Sequence, residues 1–195
     1  VSGMPLDEFF RTRIFDPLDM DDTWFYLPES KHNRLVSVQT LKEGRWAKFP
    51  APYAYDPDYP VKGARTYFSG GAGLSSTAKD YASFLQMYLN MGELNGIRIL
   101  SRTTVQFIMA NQIGDLWGDS GSYYGLAFGV LNQKGQDKGG EGSTGTFQWG
   151  GYFNTQYFAD PKEEVIGILL KQTQDIESDE TGWKFRQIIG QAIDD

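Results

Sequence analysis

The stretch TFQWGGYFNTQYFADPKEEVIGILL, residues 146–170, decides the fold. Thr146–Gly150, Thr155–Ala159 and Val165–Leu170 are short runs rich in aromatic and β-branched residues, so each reads as a strand. Asp160-Pro161-Lys162 is a turn between the last two. Val165-Ile166-Gly167-Ile168-Leu169-Leu170 does not alternate. That pattern predicts a strand buried on both faces, with helices covering both sides of its sheet. One cover is visible downstream: Ser178 to Ile193 reads as a helix with Phe185, Ile188, Ile189, Ala192 and Ile193 on one stripe. Leu126 to Leu131 supplies a further strand upstream.

The first 119 residues follow a different period. Pro5 to Phe15 reads as a helix, with Pro5 at its start, Asp7 and Glu8 in its first turn and Pro17 stopping it. From Asp19 to Gly73 the pattern is irregular, with Pro50, Pro52, Pro57 and Pro60 interleaved with Tyr53, Tyr55 and Tyr59. A long aromatic, proline-rich stretch of this kind is a packed surface loop or a binding loop. Ser76 or Thr77 then caps a strong helix, Thr77 and Asp80 having capping-box spacing. Tyr81, Phe84, Leu85, Tyr88 and Leu89 give it one buried face, and Asn90 and Gly92 end it. Ser101 caps another helix with Val105, Ile108 and Met109 inward. Helices first, then an antiparallel sheet closed by a terminal helix, predict an α+β fold in two lobes. Residues 1–119 belong on this reading to a helical lobe with long loops, and 120–195 carry the strands and terminal helix of an α/β lobe.

Composition excludes several function classes. The net charge of -7 leaves no basic footprint for nucleic acid. Cysteine is absent, so disulfides and thiolate chemistry are excluded. The single histidine, His32, cannot be half of a two-histidine metal site. No apolar run approaches the roughly 18 residues that a membrane span needs.

Two motifs invite a catalytic reading and fail on geometry. Ser76-Thr77-Ala78-Lys79 matches S-x-x-K, the acylating serine and lysine of penicillin-recognising enzymes, and Tyr88-Leu89-Asn90 matches a partner Y-x-N. Twelve residues along one helix separate Ser76 from Tyr88 by roughly 18 Å. A base must lie within about 3 Å of the proton it takes, or act through one water. A helix cap and a core tyrosine are the readings that remain. The glycine-rich Gly139–Gly145 lacks the lysine of a P-loop and leads into a strand, so it reads as a flexible connection. Glu163 and Glu164 follow a turn and read as solvated.

Several segments in register carry a family resemblance. They are Ser2-Gly3-Met4-Pro5, then Pro17-Leu18-Asp19-Met20 and Asp22-Thr23, then Gly70-Gly71-Ala72-Gly73-Leu74-Ser75-Ser76-Thr77-Ala78-Lys79-Asp80-Tyr81. Gly92-Glu93-Leu94-Asn95-Gly96 with Ile99-Leu100-Ser101 follows. Gly145-Thr146-Phe147-Gln148-Trp149-Gly150-Gly151, Thr155, Phe158, Asp160-Pro161 and Gln172 complete it. In this order the chain resembles the C-terminal portion of the serine β-lactamase-like superfamily, which includes class C β-lactamases and penicillin-binding-protein-like carboxylesterases. The resemblance implies an incomplete β-lactamase/transpeptidase-like fold. The family's own S-x-x-K and Y-x-N are expected upstream of the passage at Val1, so nucleophile, lysine and catalytic tyrosine are all expected outside this chain.

The resemblance also places site residues. The strand bearing K-T-G in β-lactamases is similar to Trp149-Gly150-Gly151, the version that carboxylesterases carry. Lysine offers a charge to a substrate carboxylate, whereas Trp149 offers an apolar face and one N–H donor. This favours an uncharged ester over a β-lactam. Gly150 and Gly151, without side chains, let the strand meet a substrate closely. The next residue, Tyr152, takes the position whose backbone N–H enters the oxyanion hole. The implied function is therefore part of a serine acyl hydrolase acting on a small-molecule ester or amide through an acyl-serine, with no cofactor or metal. Its partner would be the N-terminal segment of its own full-length chain, with self-association if that segment is missing. The family favours a periplasmic or secreted setting. The alternative is a catalytically silent, penicillin-binding-protein-like domain that contacts ligands or partners through the segment from Tyr53 to Tyr67.

Overall fold

The structure is a computed structural model and describes residues 2–50, 56–139, 141–174, 176 and 179–193. The chain divides into two compact units, each discontinuous in sequence. The first comprises Val1–Ser83, Gly151–Thr155 and Leu170–Ser178, and the second Phe84–Gly150, Gln156–Leu169 and Asp179–Asp195.

The first unit opens with helix α1, Leu6–Phe10, which continues as a π turn over Arg11–Phe15 and a 3-10 turn over Asp16–Leu18. Pro17 does not stop the helix as expected. It sits at the start of the 3-10 turn, where its missing N–H costs nothing, and the stop is Asp19 in the left-handed conformation. Arg11 stacks its guanidinium 3.8 Å from the Trp24 ring centre and donates to the Thr23 carbonyl at 2.6 Å. Phe10 meets Phe15 and Phe68 meets Phe25 edge to face, and Phe10 and Phe25 join the two pairs at a tilt.

The expected irregularity of Asp19–Gly73 is corrected by a hairpin, β1 (Gln39–Lys42) and β2 (Arg45–Lys48). Its two-residue turn places both Glu43 and Gly44 at positive φ, the geometry that matches strand twist. Glu43 in place of the usual Asn or Asp hid this turn. A short helix α2, Tyr59–Lys62, follows. Tyr53 and Tyr55 lie outside the described residues. Tyr59 and Tyr26 both donate their hydroxyls to the Tyr67 carbonyl, at 2.8 and 2.6 Å. Burial, and then the neighbouring Tyr26 hydroxyl, push the Tyr59 phenol up to about 12.

Helix α3, Ala78–Leu89, begins where the capping box predicts, and the Thr77 hydroxyl accepts from the Asp80 N–H at 3.2 Å. The reciprocal half is missing. The buried Asp80 carboxylate turns instead to the Asp22 N–H (2.8 Å) and the Thr23 hydroxyl (2.9 Å), which moors that loop to the helix start. Asp22 itself holds Arg34 bidentately at 2.6 and 2.7 Å and also pairs with Lys31. Arg34 first and Lys31 second hold its carboxyl well below the usual carboxylate range.

In the second unit α3 ends at Met91 and Gly92, both at positive φ, with the Gly92 N–H reaching the Met87 carbonyl at 2.8 Å. A Cβ on Gly92 would lie 2.2 Å from the Leu100 carbonyl oxygen, so only glycine fits. Strands β3 (Glu93–Leu94) and β4 (Ile97–Arg98) form a small hairpin before helix α4, Arg102–Met109. The Ser101 hydroxyl caps α4 by accepting from the Thr104 N–H at 3.0 Å, and Val105 is buried.

A five-stranded sheet completes the unit: β5 (Ser122–Tyr124), β6 (Gly129–Leu131), β7 (Phe147–Gly150), β8 (Gln156–Asp160) and β9 (Val165–Leu169). The strands run in that order and all neighbours are antiparallel. The expected Leu126–Leu131 strand is shorter than predicted. Helix α5, Gln133–Lys138, was not foreseen, because it offers no apolar stripe.

Phe147 pairs with Ala159 and Phe158 with Gln148, so the two phenylalanines point to opposite sheet faces. Tyr88 of α3 packs with Phe128 and Phe147. Helix α6, Thr181–Gln191, brings Phe185 to Phe158, and Gly182 makes room for the Gln156 side chain. Ser178, the expected start of this helix, lies outside the described residues. One expectation needs correction: Ile188 is 66% exposed rather than part of the buried stripe. Strand β9 is an edge strand among the described residues, and only Gly167 in it is fully buried, so its apolar side chains are half-exposed.

The Gly139–Gly145 connection is also pinned rather than flexible where it is described. The Ser143 N–H donates to the buried Asp160 carboxylate at 2.7 Å, and the Thr144 N–H donates to Gln136 at 2.7 Å. Asp160 also accepts from the Lys162 and Glu163 N–H groups, which builds the predicted turn. Burial alone would raise the Asp160 pKa, but the Ser143, Glu163 and Lys162 N–H groups outweigh it and hold the carboxyl below its ordinary value. Glu163, expected to be solvated, is half-buried and accepts from the Ser143 hydroxyl at 3.2 Å.

Candidate functional site

Strand β7 carries the first two predicted site residues. Trp149 pairs with Tyr157 and Gly150 with Gln156, the last rung of that ladder. Trp149 is 47% exposed although it stands in a strand interior to the sheet. Two rings hold it. Tyr124 meets it edge to face at 4.8 Å, and Trp117 lies parallel to it, within 6°, at 6.4 Å between ring centres. Gly129 on the adjacent strand lies beside it, where a Cβ would meet the Trp149 six-membered ring at 3.6 Å, an ordinary contact.

The other two predicted residues belong to the first unit. The Gly151 N–H donates to the Thr155 carbonyl at 2.8 Å, and the Asn154 N–H donates back to the Gly151 carbonyl at 3.0 Å. Residues 151–154 thus form a tight turn, with Asn154 in the left-handed conformation. Gly151 has a local reason to be glycine, because a Cβ would fall 2.1 Å from the Thr155 hydroxyl. Tyr152 takes the second position of this turn, beyond the last paired residue of β7, and is 38% exposed with its ring against Phe153.

The decoy motifs are accounted for. The Ser76 hydroxyl hydrogen-bonds the Thr23 hydroxyl at 2.8 Å, ahead of the first residue of α3. Tyr88 is buried on the last turn, with rings of Phe84 and Phe128 at 5.2 and 5.0 Å. Sequence reasoning missed Trp117 and Tyr124 as neighbours of Trp149. Their only signal was three aromatic residues, Trp117, Tyr123 and Tyr124, in a stretch otherwise rich in Gly, Asp and Ser. Among the described residues no group of three or more His, Asp or Glu side chains is placed to hold a metal, and no helix is long and apolar enough to cross a membrane.

Comparison with known proteins identifies the family and the fold. The chain is 28% identical over 188 residues to protein Rv1367c of Mycobacterium tuberculosis, which covers 88% of the chain and 44% of that protein. Its fold is similar to that of EstCE1, described as a hydrolase with promiscuous acyltransferase activity. The TM-score is 0.80 at 22% identity, covering 96% of this chain and 51% of EstCE1. It is also similar to simvastatin synthase (LovD) from Aspergillus terreus, with a TM-score of 0.75 at 17% identity, covering 98% of this chain and 50% of that one. The chain thus spans about half the length of the proteins it matches. The fold is β-lactamase/transpeptidase-like, α+β with an antiparallel sheet flanked by helices. The beta-lactamase family model matches residues 1–191, and the chain belongs to that family.

Proposed function

We propose that the protein containing this chain is a serine acyl hydrolase for uncharged esters, and that this chain supplies one wall of its acyl site. The observation that carries the reading is at the end of β7. The strand presents a half-exposed indole at Trp149, where a β-lactam-recognising member of the family would present lysine, and leaves its sheet one residue later. A serine from elsewhere in the protein attacks the ester carbonyl carbon and the alcohol departs with a proton. Water then releases the acid and restores the serine. Negative charge develops on the carbonyl oxygen in both steps, and the Tyr152 backbone N–H is assigned to meet it. The similarity in fold to EstCE1, described as a hydrolase with promiscuous acyltransferase activity, supports acyl-transfer chemistry. The outer edge of β9, unpaired among the described residues, is assigned to the rest of the protein's own chain.

The test uses the full-length protein. It should hydrolyse p-nitrophenyl butyrate and leave nitrocefin intact, and this chain alone should do neither. Tyr152→Phe should keep activity within a few-fold, whereas Tyr152→Pro, which removes the N–H, should lower kcat by about 100-fold or more. Trp149→Lys should move the preference toward carboxylate-bearing substrates. Full activity in a folded Tyr152→Pro variant, or nitrocefin preferred by the wild type, overturns the assignment. A second reading, a silent ligand-binding domain using the Tyr53–Tyr67 segment, rests on Tyr67, whose side chain is 70% exposed. A fluorophosphonate that labels no serine in the full-length protein would favour it.

A further inference from the structure

The aromatic group around Trp149 does more than fill space. Three rings converge: Trp117 and Tyr124 at 5.7 Å, Tyr124 and Trp149 at 4.8 Å, and Trp117 and Trp149 parallel at 6.4 Å. Rings gathered only to exclude water bury their faces. Here both indoles stay open to solvent, at 37% and 47%. Their polar tips are open too: among the described residues neither indole N–H and not the Tyr124 hydroxyl has a hydrogen-bond partner.

The loop that presents Trp117 is nonetheless tightly built. Gly114, Gly118 and Gly121 take positive φ, and the Gly118 N–H closes a turn on the Asp115 carbonyl at 2.8 Å. The Lys138 ammonium donates to the Asp119 and Ser120 carbonyls at 2.9 and 3.1 Å, and Lys134 pairs with the Asp119 carboxylate at 2.6 Å. The Gln112 N–H ties the loop's beginning to the Tyr124 carbonyl at 3.0 Å. A pinned loop that holds an exposed indole in a fixed orientation beside a second one is a preorganised aromatic surface, which lowers the ordering cost of binding a flat ligand. Among the described residues no cation–π contact involves the three rings. The surface therefore selects by shape and polarisability, with N–H and O–H donors at its rim for a neutral oxygen.

We infer that Trp117, Tyr124 and Trp149 form a stacking platform that seats the uncharged aromatic ring of an ester substrate. The inference rests on the ester-hydrolase reading above for the reaction, but the platform's binding is independent of turnover. Trp149 links the two, because it is the residue before Gly150 on β7.

Two measurements on the full-length protein separate the claims. The first is calorimetric titration with 2-acetylnaphthalene, a neutral ring bearing a carbonyl that cannot be hydrolysed. Trp117→Leu should weaken its binding about fivefold to tenfold, the scale of one aromatic pair, and Trp117→Phe should recover most of the loss. The second compares kcat/KM for methyl 2-naphthoate and for 2-naphthyl acetate, each relative to methyl acetate. Trp117→Leu should reduce the ratio about tenfold for whichever ester carries its ring on the platform side, through KM rather than kcat. If Trp117→Leu does not fold, Trp117→Phe and Tyr124→Leu carry the same comparison. Equal binding of the probe by wild type and variant, or a uniform loss on all three esters, overturns the platform. Trp117-dependent binding without turnover of any ester leaves the platform standing and removes the hydrolase reading. Turnover with unchanged ratios does the reverse.

Discussion

Phe147 and Trp149 stand two residues apart on one strand and lead opposite lives. Phe147 is 3% exposed and packs against Phe128 at 5.0 Å and Tyr88 at 6.2 Å. Trp149 leans on two rings that are themselves open to water. Alternation along a strand sends both side chains to the same side of the ladder, so direction alone does not separate them. The cover does. Helix α3 supplies Tyr88 over the first, whereas the second has only Trp117 and Tyr124 against it, and Trp117 is itself 37% exposed. A buried ring is there for stability, whereas a ring held open at some cost in apolar exposure is available for recognition.

Stability measurements should sharpen this contrast, and the largest effect belongs to the core. Phe147→Ala should destabilise by about 3–5 kcal/mol through lost burial and the cavity left behind, read as a fall in the thermal midpoint. Asp160→Ala, on the neighbouring strand, should cost about 2–3 kcal/mol, because the buried Ser143 N–H and the turn N–H groups of Lys162 and Glu163 lose their acceptor. Its carboxyl pKa is lowered on folding, so its contribution is present above the unfolded value of about 4 and is lost as pH falls through the folded value. The gap in midpoint between wild type and Asp160→Ala should therefore narrow on going from pH 7 to pH 3. A gap that widened in acid would reverse the sign assigned here. Trp149→Ala should be the mildest, at about 1 kcal/mol or less. If it proved as damaging as Phe147→Ala, the rim would be core and the distinction between the two rings would collapse.

Much of the fold was legible because its signals are local. The strand runs of residues 146–170, the Asp160-Pro161-Lys162 turn, the Thr77 and Ser101 caps and the inward face of α3 each follow from side-chain chemistry within a few residues. The β1–β2 hairpin escaped because Glu43 takes a positive φ that its residue type does not advertise. Strand β9 misled because an apolar run reports what a strand prefers to bury and not which strands are present to bury it. Asp80 read as a helix cap, yet its carboxylate serves residues 57 and 58 positions away, a partnership that only the folded chain reveals. The site was half legible for the same reason. Trp149-Gly150-Gly151-Tyr152 is contiguous in sequence, whereas Trp117 and Tyr124 reach Trp149 only through the sheet order β5-β6-β7.

The interleaving of the two units has a consequence for biosynthesis. Gln39 at the start of the first hairpin pairs with Thr173, and its N–H and carbonyl are bonded to Gln172 and Gln174. A ribosome delivers those late residues on the order of ten seconds after Gln39 has emerged. Until then β1 is paired with β2 on one side only, and the N–H and carbonyl of Gln39 wait for their partners. The start of the first hairpin is thus secured on this side only once residues 172–174 have been made.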